Sequence, residues 1–342
     1  MLIESEKFLL VRTDRIGDVI LSTPVAVALK QHFPQARIFF LVRSYTKEIV
    51  ECHPAVDGIL VEEEFGNWFK ALQRLREENF GTAIFLHPEA KWAVLSWLAG
   101  IPQRIGTGFR AYSVFFNRRV FEHRKVSRRH EVEYNLSLLR PLGIEKPEVK
   151  FLFTIPLEAE ERIEALLANQ GVDPNQPLVI LHPGSGGSAL NWPVQKFAQL
   201  ADELFYQHKV RVVVTGVHSE KKLIDEFFRL TKAPVLRLDG QLSLKELGAL
   251  LRRANLLIAN STGPLHLAVA MGTEVIGLYC PIRPCHPDRW GPYGKPTSVV
   301  MPPVGECQKC NPSRCPHYNC MDKISVKDVL KMAEINIRGI VT

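Results

Sequence analysis

Short apolar runs alternate with longer amphipathic segments along the first half of the chain. Their length and spacing predict buried strands at residues 7–12, 38–42, 59–61 and 83–86. Apolar residues at helical spacing between them predict helices near residues 22–32, 46–52, 68–78 and 91–99. Strands that alternate with helices through short loops predict a parallel sheet covered by helices on both faces.

The same alternation starts again after Pro156. Buried strands are predicted at residues 179–181, 210–215, 235–238, 256–259 and 275–279. Helices are predicted at residues 157–170, 194–208, 220–230 and 244–253, from Pro264 onward, and at 325–337 with Ser325 as the N-cap. Residues 145–156 contain two prolines and a change of pattern, and they are the predicted linker.

We therefore predict an α/β fold with two doubly wound, Rossmann-like domains that face each other across a cleft. The first domain is expected over residues 1–155 and the second over 156–324, with a C-terminal helix and tail over 325–342. In sheets of this kind, ligands bind at the carboxyl ends of the strands. Residues that follow the predicted strands are thus the candidates for chemistry.

The first such stretch is RTDRIGDVILSTP, from Arg12 to Pro24, at the junction of the first strand and first helix. Asp18 is either an N-cap, which aspartate favours, or a carboxylate that takes a proton from a substrate hydroxyl. Arg12 and Arg15 flank the turn and either pair with an anionic substrate or form a surface ion pair with Asp14.

The next two stretches are LHPGSGGSALNWP, from Leu181, and VVVTGVHSEKK, from Val212. The glycine-rich turn of the first exposes backbone N–H groups that suit a phosphate, although its glycines have neither Rossmann-fingerprint nor P-loop spacing. In the second, Glu220 opens a predicted helix. It either binds a ribose diol or interacts with the helix dipole.

The fourth stretch, ANSTGPLHLAVAMGTEVIGLYCP, runs from Ala259 and passes from a strand through a polar turn into a helix. The free N–H groups near Thr262 and the positive end of the helix suit a diphosphate. Ser261 adds a hydroxyl. His266 lies in the first helical turn, where it is either packed in the core or close to the phosphate site.

Together these four motifs resemble glycosyltransferase family 9, the heptosyltransferases of lipopolysaccharide core assembly. The resemblance covers residues 7 to about 329. It implies the GT-B architecture, with an acceptor on the N-terminal domain and a nucleotide-sugar on the C-terminal domain. It also implies an inverting, metal-independent transfer that requires no cofactor, with ADP-heptose as the first donor to test and an anionic glycolipid as the acceptor.

Site residues follow from the resemblance position by position. Asp18 is the expected general base. The candidate donor-binding residues are Ser185, Gly186, Gly216, Glu220, Ser261, Thr262, Gly263 and His266. The candidate acceptor-binding residues are Arg12, Arg15 and Arg110.

The chain departs from the family pattern at two places. Relatives carry a lysine two residues before the Trp-Pro pair, where this chain has Leu190. Leaving-group stabilisation would then come from the helix end or from another cation, with Lys196, Arg283 and Arg289 as candidates. The acidic residue usual before Thr-Gly is replaced by Ser261, so that another nucleotide-sugar stays open as the donor.

Composition and charge narrow the partners. The formal net charge of +7 suits an anionic partner, but aromatic and basic residues are not interleaved as in a nucleic-acid module, so we expect no nucleic acid. A basic stretch at residues 118–130 is either a solvated loop or an acceptor surface. The sequence has neither a run of about 18 apolar residues nor a signal-peptide pattern, which predicts a cytoplasmic protein, with peripheral contact at the inner membrane left open.

Cys307, Cys310, Cys315 and Cys320 cluster late in the chain with spacing C-x2-C-x4-C-x4-C. A structural zinc site, with His317 as a further ligand, free thiols and a local disulfide all stay open, and no catalytic metal is expected.

Two other functional classes remain alternatives. A GT-B-fold nucleotide-sugar epimerase would act on the donor alone, without an acceptor. A non-enzymatic nucleotide- or metal-binding module would depend on the cysteine segment instead of on Asp18.

Overall fold

The computed structural model describes residues 7–124, 129–311 and 313–341, with side chains up to residue 337. The chain divides into two compact units, Met1–Thr154 and Ile155–Thr342. The boundary falls within the predicted linker segment 145–156. Among the described residues, no helix is long and apolar enough to cross a membrane.

The first unit is a parallel sheet with helices between its strands. The strands are β1 Lys7–Val11, β2 Arg37–Val42, β3 Gly58–Val61, β4 Thr82–Phe85, β5 Gln103–Thr107 and β6 Arg118–Val120. The helices are α1 Ile16–Ile20, α2 Thr23–His32, α3 Lys47–Glu51, α4 Trp68–Glu78, α5 Ala90–Leu98 and α6 Glu131–Ser137.

The order of strands in this sheet is β3-β2-β1-β4-β5-β6, and all pairs are parallel. β1 is apolar along almost its whole length because helices cover both of its faces. Leu9 pairs with Phe39 of β2 on one side and with Ala83 of β4 on the other. The order reverses between β1 and β4, so the loops after these two strands open a crevice at the carboxyl edge.

The second unit repeats this plan. Its strands are β7 Leu178–His182, β8 Arg211–Val214, β9 Leu236–Arg237, β10 Leu256–Asn260, β11 Glu274–Leu278 and β12 Val299–Val300. Its helices are α7 Leu157–Asn169, α8 Val194–His208, α9 Lys221–Leu230, α10 Leu244–Arg253, α11 Gly263–Met271, α12 Pro287–Trp290 and α13 Val326–Val341.

The second sheet has the order β12-β11-β10-β7-β8-β9, again all parallel. Read from β9 to β12, the strands are the third, second, first, fourth, fifth and sixth of their unit, which is the order of the first sheet. The order reverses between β7 and β10, which is the switch point of this sheet. α13 packs on α8 and on β10 and β11, and it begins where Ser325 Oγ accepts the Asp328 N–H at 3.1 Å. The predicted N-cap of this helix is therefore confirmed.

The predicted strands and long helices are present, with ends that shift by a few residues. The pattern missed β5, β6, β12 and the short helices α6 and α12. β6 and β12 are short and lie at sheet edges, where few apolar residues are needed. α6 spans seven residues, which is too short for helical periodicity to identify.

Candidate active site

The first unit places a carboxylate at the switch point between β1 and β4. β1 ends at Val11 and α1 begins at Ile16, so the loop between them lies at the carboxyl edge of the sheet. Asp18 is in the first turn of α1, and its side chain is 16% exposed. Arg15 occupies the N-cap position, and the interpretation of Asp18 as an N-cap is therefore wrong. A partly exposed carboxylate at this position can reach a ligand in the crevice.

Arg12 is buried, although its place in the first motif predicted an acceptor-binding residue. Its side chain is 2% exposed. Nη2 donates to Asp18 Oδ1 at 2.5 Å, Nε to Asp14 Oδ1 at 2.7 Å, and Nη1 to the carbonyl oxygen of Leu86 at 3.0 Å. The predicted pair with Asp14 does form, but it is not a surface pair. The Arg12 guanidinium is thus buried and held by acceptors of this chain, one of which is the Asp18 carboxylate, and a contact of Arg12 with an acceptor stays a prediction.

The surroundings of Asp18 adjust its affinity for a proton. Burial is the largest cause and raises the pKa of Asp18 to about 6. The carboxylates of Asp14 and Glu131 also raise it, while the Arg12 guanidinium lowers it. A carboxylate with this pKa is mostly ionised at pH 7 and is a stronger base than an ordinary aspartate, which suits proton transfer.

Two residues of α6 complete this network, and neither was predicted from the sequence. Glu131 Oε1 accepts from Arg12 Nη1 at 3.4 Å and from Arg124 Nη1 at 2.7 Å. Asn135 Oδ1 accepts from Arg12 Nη1 at 3.3 Å, and its Nδ2 donates to the carbonyl oxygen of Leu21 at 3.0 Å. The available signal was a glutamate and an asparagine four residues apart, which share one face of a helix.

The loop after β4 adds a second titratable group at the same sheet edge. His87 Nδ1 lies 3.3 Å from Glu89 Oε1 and 4.0 Å from Asp14 Oδ2. Burial acts to lower the pKa of His87, but the nearby carboxylates of Glu89 and Asp14 outweigh it and raise this pKa. Thr13 Oγ1 donates to Glu89 at 2.9 Å and so links the two loops. The strand-end position of His87 was the signal that could have identified it.

The other predicted acceptor residues lie on the surface. Arg15 and Arg110 are both exposed, in loops that follow β1 and β5. In the basic stretch, Arg129 pairs with glutamates, whereas Lys125 and Arg128 lie outside the described residues. Arg15 and Arg110 thus stay candidates for contact with an anionic acceptor.

In the second unit, the loop after β7 forms a glycine turn. Gly186 and Gly187 have φ of +55° and +73°, in the left-handed region that favours glycine. Ser185 is buried, and its Oγ donates to the carbonyl oxygen of Ala189 at 3.1 Å. The turn therefore holds its shape through its own hydrogen bonds.

Glu220 braces the same turn from the neighbouring loop. Its Oε1 accepts the Gly186 N–H and its Oε2 accepts the Val217 N–H, both at 3.0 Å. A Cβ at Gly184 would overlap this carboxylate, and one at Gly216 would lie 3.4 Å from it. The structure thus brings the predicted residues Gly186, Gly216 and Glu220 together at the carboxyl edge.

α11 begins directly after β10, on the other side of the switch point. Thr262 is its N-cap residue, and its side chain makes no capping hydrogen bond. Gly263 is the first helical residue, and His266 is buried in the first turn. The Ser261 side chain is hydrogen bonded to Tyr279, and burial raises the pKa of that phenol. The amino end of the helix therefore lies where an anion would enter the crevice.

Two buried polar residues outside the predicted site hold these loops. Asn260 Oδ1 accepts the Trp192 N–H at 2.8 Å, and its Nδ2 donates to the carbonyl oxygen of Pro183 at 2.6 Å. His182 Nδ1 lies 2.9 Å from Thr215 Oγ1, and burial lowers the pKa of this histidine. Both are the last residues of central strands, which was the signal that could have identified them.

Two of the cations considered as substitutes for the missing lysine, Lys196 and Arg289, make side-chain contacts with other groups of the chain. Lys196 Nζ donates to the carbonyl oxygen of Ile324 at 3.0 Å and pairs with Asp322 at 3.1 Å. Arg289 lies over the Trp290 ring at 4.7 Å from its centroid. Arg283 pairs through its backbone N–H with the carbonyl oxygen of Cys307. Lys196 is thus held by the segment that precedes α13.

All seven cysteines are free thiols, and the disulfide alternative is not formed. In the described part of the chain, no three of the thiol groups lie within 4.8 Å of one another, whereas ligand atoms of His286, Asp288 and Glu306 do. Cys280, absent from the predicted cluster, accepts hydrogen bonds from Cys285 and from backbone N–H groups, which lower the pKa of Cys280 to about 6. A structural zinc at the late cysteines stays a prediction.

Comparisons with known proteins identify the family of this chain. The model of glycosyltransferase family 9 (heptosyltransferase) matches residues 68–320. The chain is 28% identical over 333 residues to a putative glycosyltransferase of Haemophilus influenzae, covering 94% of this chain and 96% of that protein. It is 27% identical over 275 residues to lipopolysaccharide heptosyltransferase 3 of Escherichia coli, covering 77% and 80%.

A solved structure confirms the predicted fold class. The structure of E. coli ADP-heptose lps heptosyltransferase II superposes with a TM-score of 0.81 at 20% identity, covering 98% of this chain and 100% of that one. Two Rossmann-like units of the GT-B type are thus the architecture of this chain.

Proposed function

Since the chain belongs to glycosyltransferase family 9, we propose that it transfers a heptose from a nucleotide-sugar to a hydroxyl of a lipopolysaccharide-type acceptor. The name of lipopolysaccharide heptosyltransferase 3 supports heptose as the transferred sugar, and the name of the structural neighbour, E. coli ADP-heptose lps heptosyltransferase II, supports ADP-heptose as the donor. The observation that carries the proposal is Asp18, a partly exposed carboxylate with a pKa of about 6 at the switch point of the first sheet.

In the proposed reaction, Asp18 is the general base. It accepts the proton of the acceptor hydroxyl while the hydroxyl oxygen attacks the anomeric carbon of the donor. The bond from that carbon to the phosphate oxygen breaks, and the nucleoside diphosphate leaves with the bonding electrons. Attack on the face opposite the leaving group inverts the anomeric configuration, through a transition state with oxocarbenium character.

Arg12 is the residue that sets the orientation of this base. It donates to Asp18 from Nη2 while Nε and Nη1 are held by other acceptors of the chain. The guanidinium therefore fixes one carboxylate oxygen and leaves the other for the substrate.

We further propose that the second unit binds the donor. The amino end of α11, at Thr262 and Gly263, would stabilise the negative charge that develops on the leaving diphosphate, since its N–H groups and dipole point outward there. The glycine turn at Ser185 and Gly186 offers further backbone N–H groups. Each carboxylate oxygen of Glu220 retains a lone pair for a ribose hydroxyl beside the N–H that it already accepts.

The proposed acceptor is an anionic glycolipid. Arg15 and Arg110 are exposed at the edge of the first sheet that also bears Asp18, where they would attract phosphate or carboxylate groups of such an acceptor. An acceptor held in a bilayer would bring the enzyme to the cytoplasmic face of the inner membrane. If so, the apparent KM for the acceptor rises with salt concentration and rises further in an Arg15→Gln variant.

The function is tested by incubating the protein with ADP-heptose and heptose-deficient lipopolysaccharide and measuring the mass of the product. We expect the acceptor to gain one heptose, with inversion in the anomeric NMR signals, and UDP- and GDP-sugars to give less product. Asp18→Asn should bind the donor, as measured by a thermal shift, but form no product. Conversion of the donor without an acceptor would favour the epimerase alternative, and binding of no nucleotide would favour a module of another kind.

A further inference from the structure

The carboxylate of Glu131 is buried at the start of α6, beneath the candidate base. The side chain is 1% exposed, and its Oε1 lies 3.4 Å from Arg12 Nη1 and 2.7 Å from Arg124 Nη1. Two guanidinium groups therefore share one carboxylate oxygen, and one of these groups also binds Asp18. A buried charge in such an arrangement influences every other member of the network, because water does not screen it.

α6 is also tied to the helix that carries Asp18. Asn135 donates to the carbonyl oxygen of Leu21 at 3.0 Å and to Ser22 Oγ at 3.2 Å. Ser22 Oγ in turn donates to the backbone carbonyl oxygen of Asp18 at 2.8 Å. α6 is thus linked to Asp18 along two routes, from Glu131 through the Arg12 guanidinium and from Asn135 through Ser22 to the backbone.

We propose that Glu131 is a positioning residue, which fixes the place of the Arg12 guanidinium and takes up part of its charge, so that Asp18 still accepts a proton. This inference rests on the proposed role of Asp18 as the general base. Without Glu131, the positive charge of Arg12 would be shared between Asp14 and Asp18 alone. Asp18 would then be a weaker base, held more tightly by Arg12.

The charges near Asp18 determine whether a substitution raises or lowers its affinity for a proton. Arg12 stabilises the ionised form of Asp18, and Asp14 and Glu131 oppose ionisation. Arg124 acts through Glu131, because it neutralises part of that charge.

Two further groups lie farther out at the same sheet edge. Tyr45 donates to the carbonyl oxygen of Asp14, and Arg15 is exposed. The hydrogen bonds and ion pairs of Glu131 described above reach Arg12 and Arg124.

The test compares three variants of the full chain by following the Asp18 carboxyl carbon in 13C NMR spectra of aspartate-labelled protein, with Asp18→Asn to assign the signal. Glu131→Gln removes a negative charge, so the midpoint of the Asp18 titration should fall by about 1 pH unit. Arg124→Gln removes the cation that Glu131 is paired with, so the midpoint should rise. Glu122→Gln is the matched control, because Glu122 pairs with Arg129 and Arg140 and has no contact with Arg12 in the described residues.

The same variants are then compared by the pH dependence of kcat/KM, whose acid limb should move with the NMR midpoint in both directions. A purely structural role would lower the melting temperature of Glu131→Gln and leave the midpoint and the acid limb unchanged, which would overturn the proposal. If Glu131→Gln does not fold, Arg124→Gln still decides, since an unshifted midpoint there also overturns it. Absence of transfer activity in the unmodified protein would refute the proposed function, whereas the NMR midpoints would still test the coupling of Glu131 to Asp18.

Discussion

Replacement of Asp18 by asparagine has a consequence for stability that can be measured without any substrate. In the folded protein the pKa of Asp18 is raised from 3.8 to about 6, mainly by burial. The folded state therefore binds the proton of Asp18 more tightly than the unfolded state does. The stability that this group contributes is fully present below pH 4 and is lost as the pH rises through 6.

The size of the effect follows from the shift. A difference of about 2 pKa units corresponds to about 3 kcal/mol, at about 1.4 kcal/mol for each unit. Asp18→Asn lacks the titration, so its free energy of unfolding should gain up to about 3 kcal/mol relative to the unmodified protein between about pH 4 and about pH 7.5. The same titration predicts that kcat/KM of the unmodified protein falls about tenfold between pH 7 and pH 5, since the ionised fraction falls from about 0.9 to about 0.1.

The assay is urea unfolding, followed by circular dichroism at intervals of half a pH unit, for both proteins. Asp225→Asn is a control of opposite sign at lower pH, because hydrogen bonds from Lys221 and Arg237 lower the pKa of Asp225, so that the stability this group contributes is lost as the pH falls below about 4. A difference between Asp18→Asn and the unmodified protein that is flat across pH, or that has the sign of the Asp225 control, would refute the conclusion that burial raises the pKa of Asp18.

Three other predictions concern the second unit and its metal content. Gly184→Ala should raise the Kd for ADP about tenfold or more, because the new methyl group displaces the Glu220 carboxylate, and calorimetry measures this Kd. Gly305→Ala is the control, because its methyl group meets open space and should leave the Kd unchanged. Asn260→Ala should lower the free energy of unfolding by about 2–4 kcal/mol, because two buried hydrogen bonds are lost. Asn169→Ala, at the exposed end of α7, should change this free energy little. Equal effects of the two substitutions would contradict the structure. Transfer activity should persist in EDTA, and loss of activity there would contradict metal-independent transfer. Protein denatured without reductant should react with seven equivalents of a thiol reagent, and a smaller number would contradict the free-thiol state.

The sequence predicted the parts of the fold that depend on long apolar patterns. β1 and β10 are buried along their length, and helices α4, α8 and α10 begin and end where helical periodicity does. Residues that directly follow those strands were also found, since their position at the sheet edge depends on topology alone. Asp18 and Thr262 were identified in this way.

Contacts between residues far apart along the chain could not be predicted from the sequence. Glu131 lies 119 residues from Arg12, and α6 is too short to be recognised by its pattern. For the same reason Arg12 was interpreted as an acceptor-binding residue, because a pattern of residue types does not reveal that a guanidinium is buried. The contact between Cys280 and Cys285 likewise depends on how the chain turns after β11.

Asn260 joins the loop after β7 to the end of β10 before any ligand arrives, because it bonds to both Pro183 and Trp192. A loop that is already fixed loses little conformational entropy on binding, so most of the interaction energy with a nucleotide appears as affinity. Such a rigid frame also discriminates by shape, since it cannot adjust to a base of another size. If the second unit binds the donor as proposed, this asparagine should therefore influence the choice among nucleotide-sugars through the shape of the loop that it fixes.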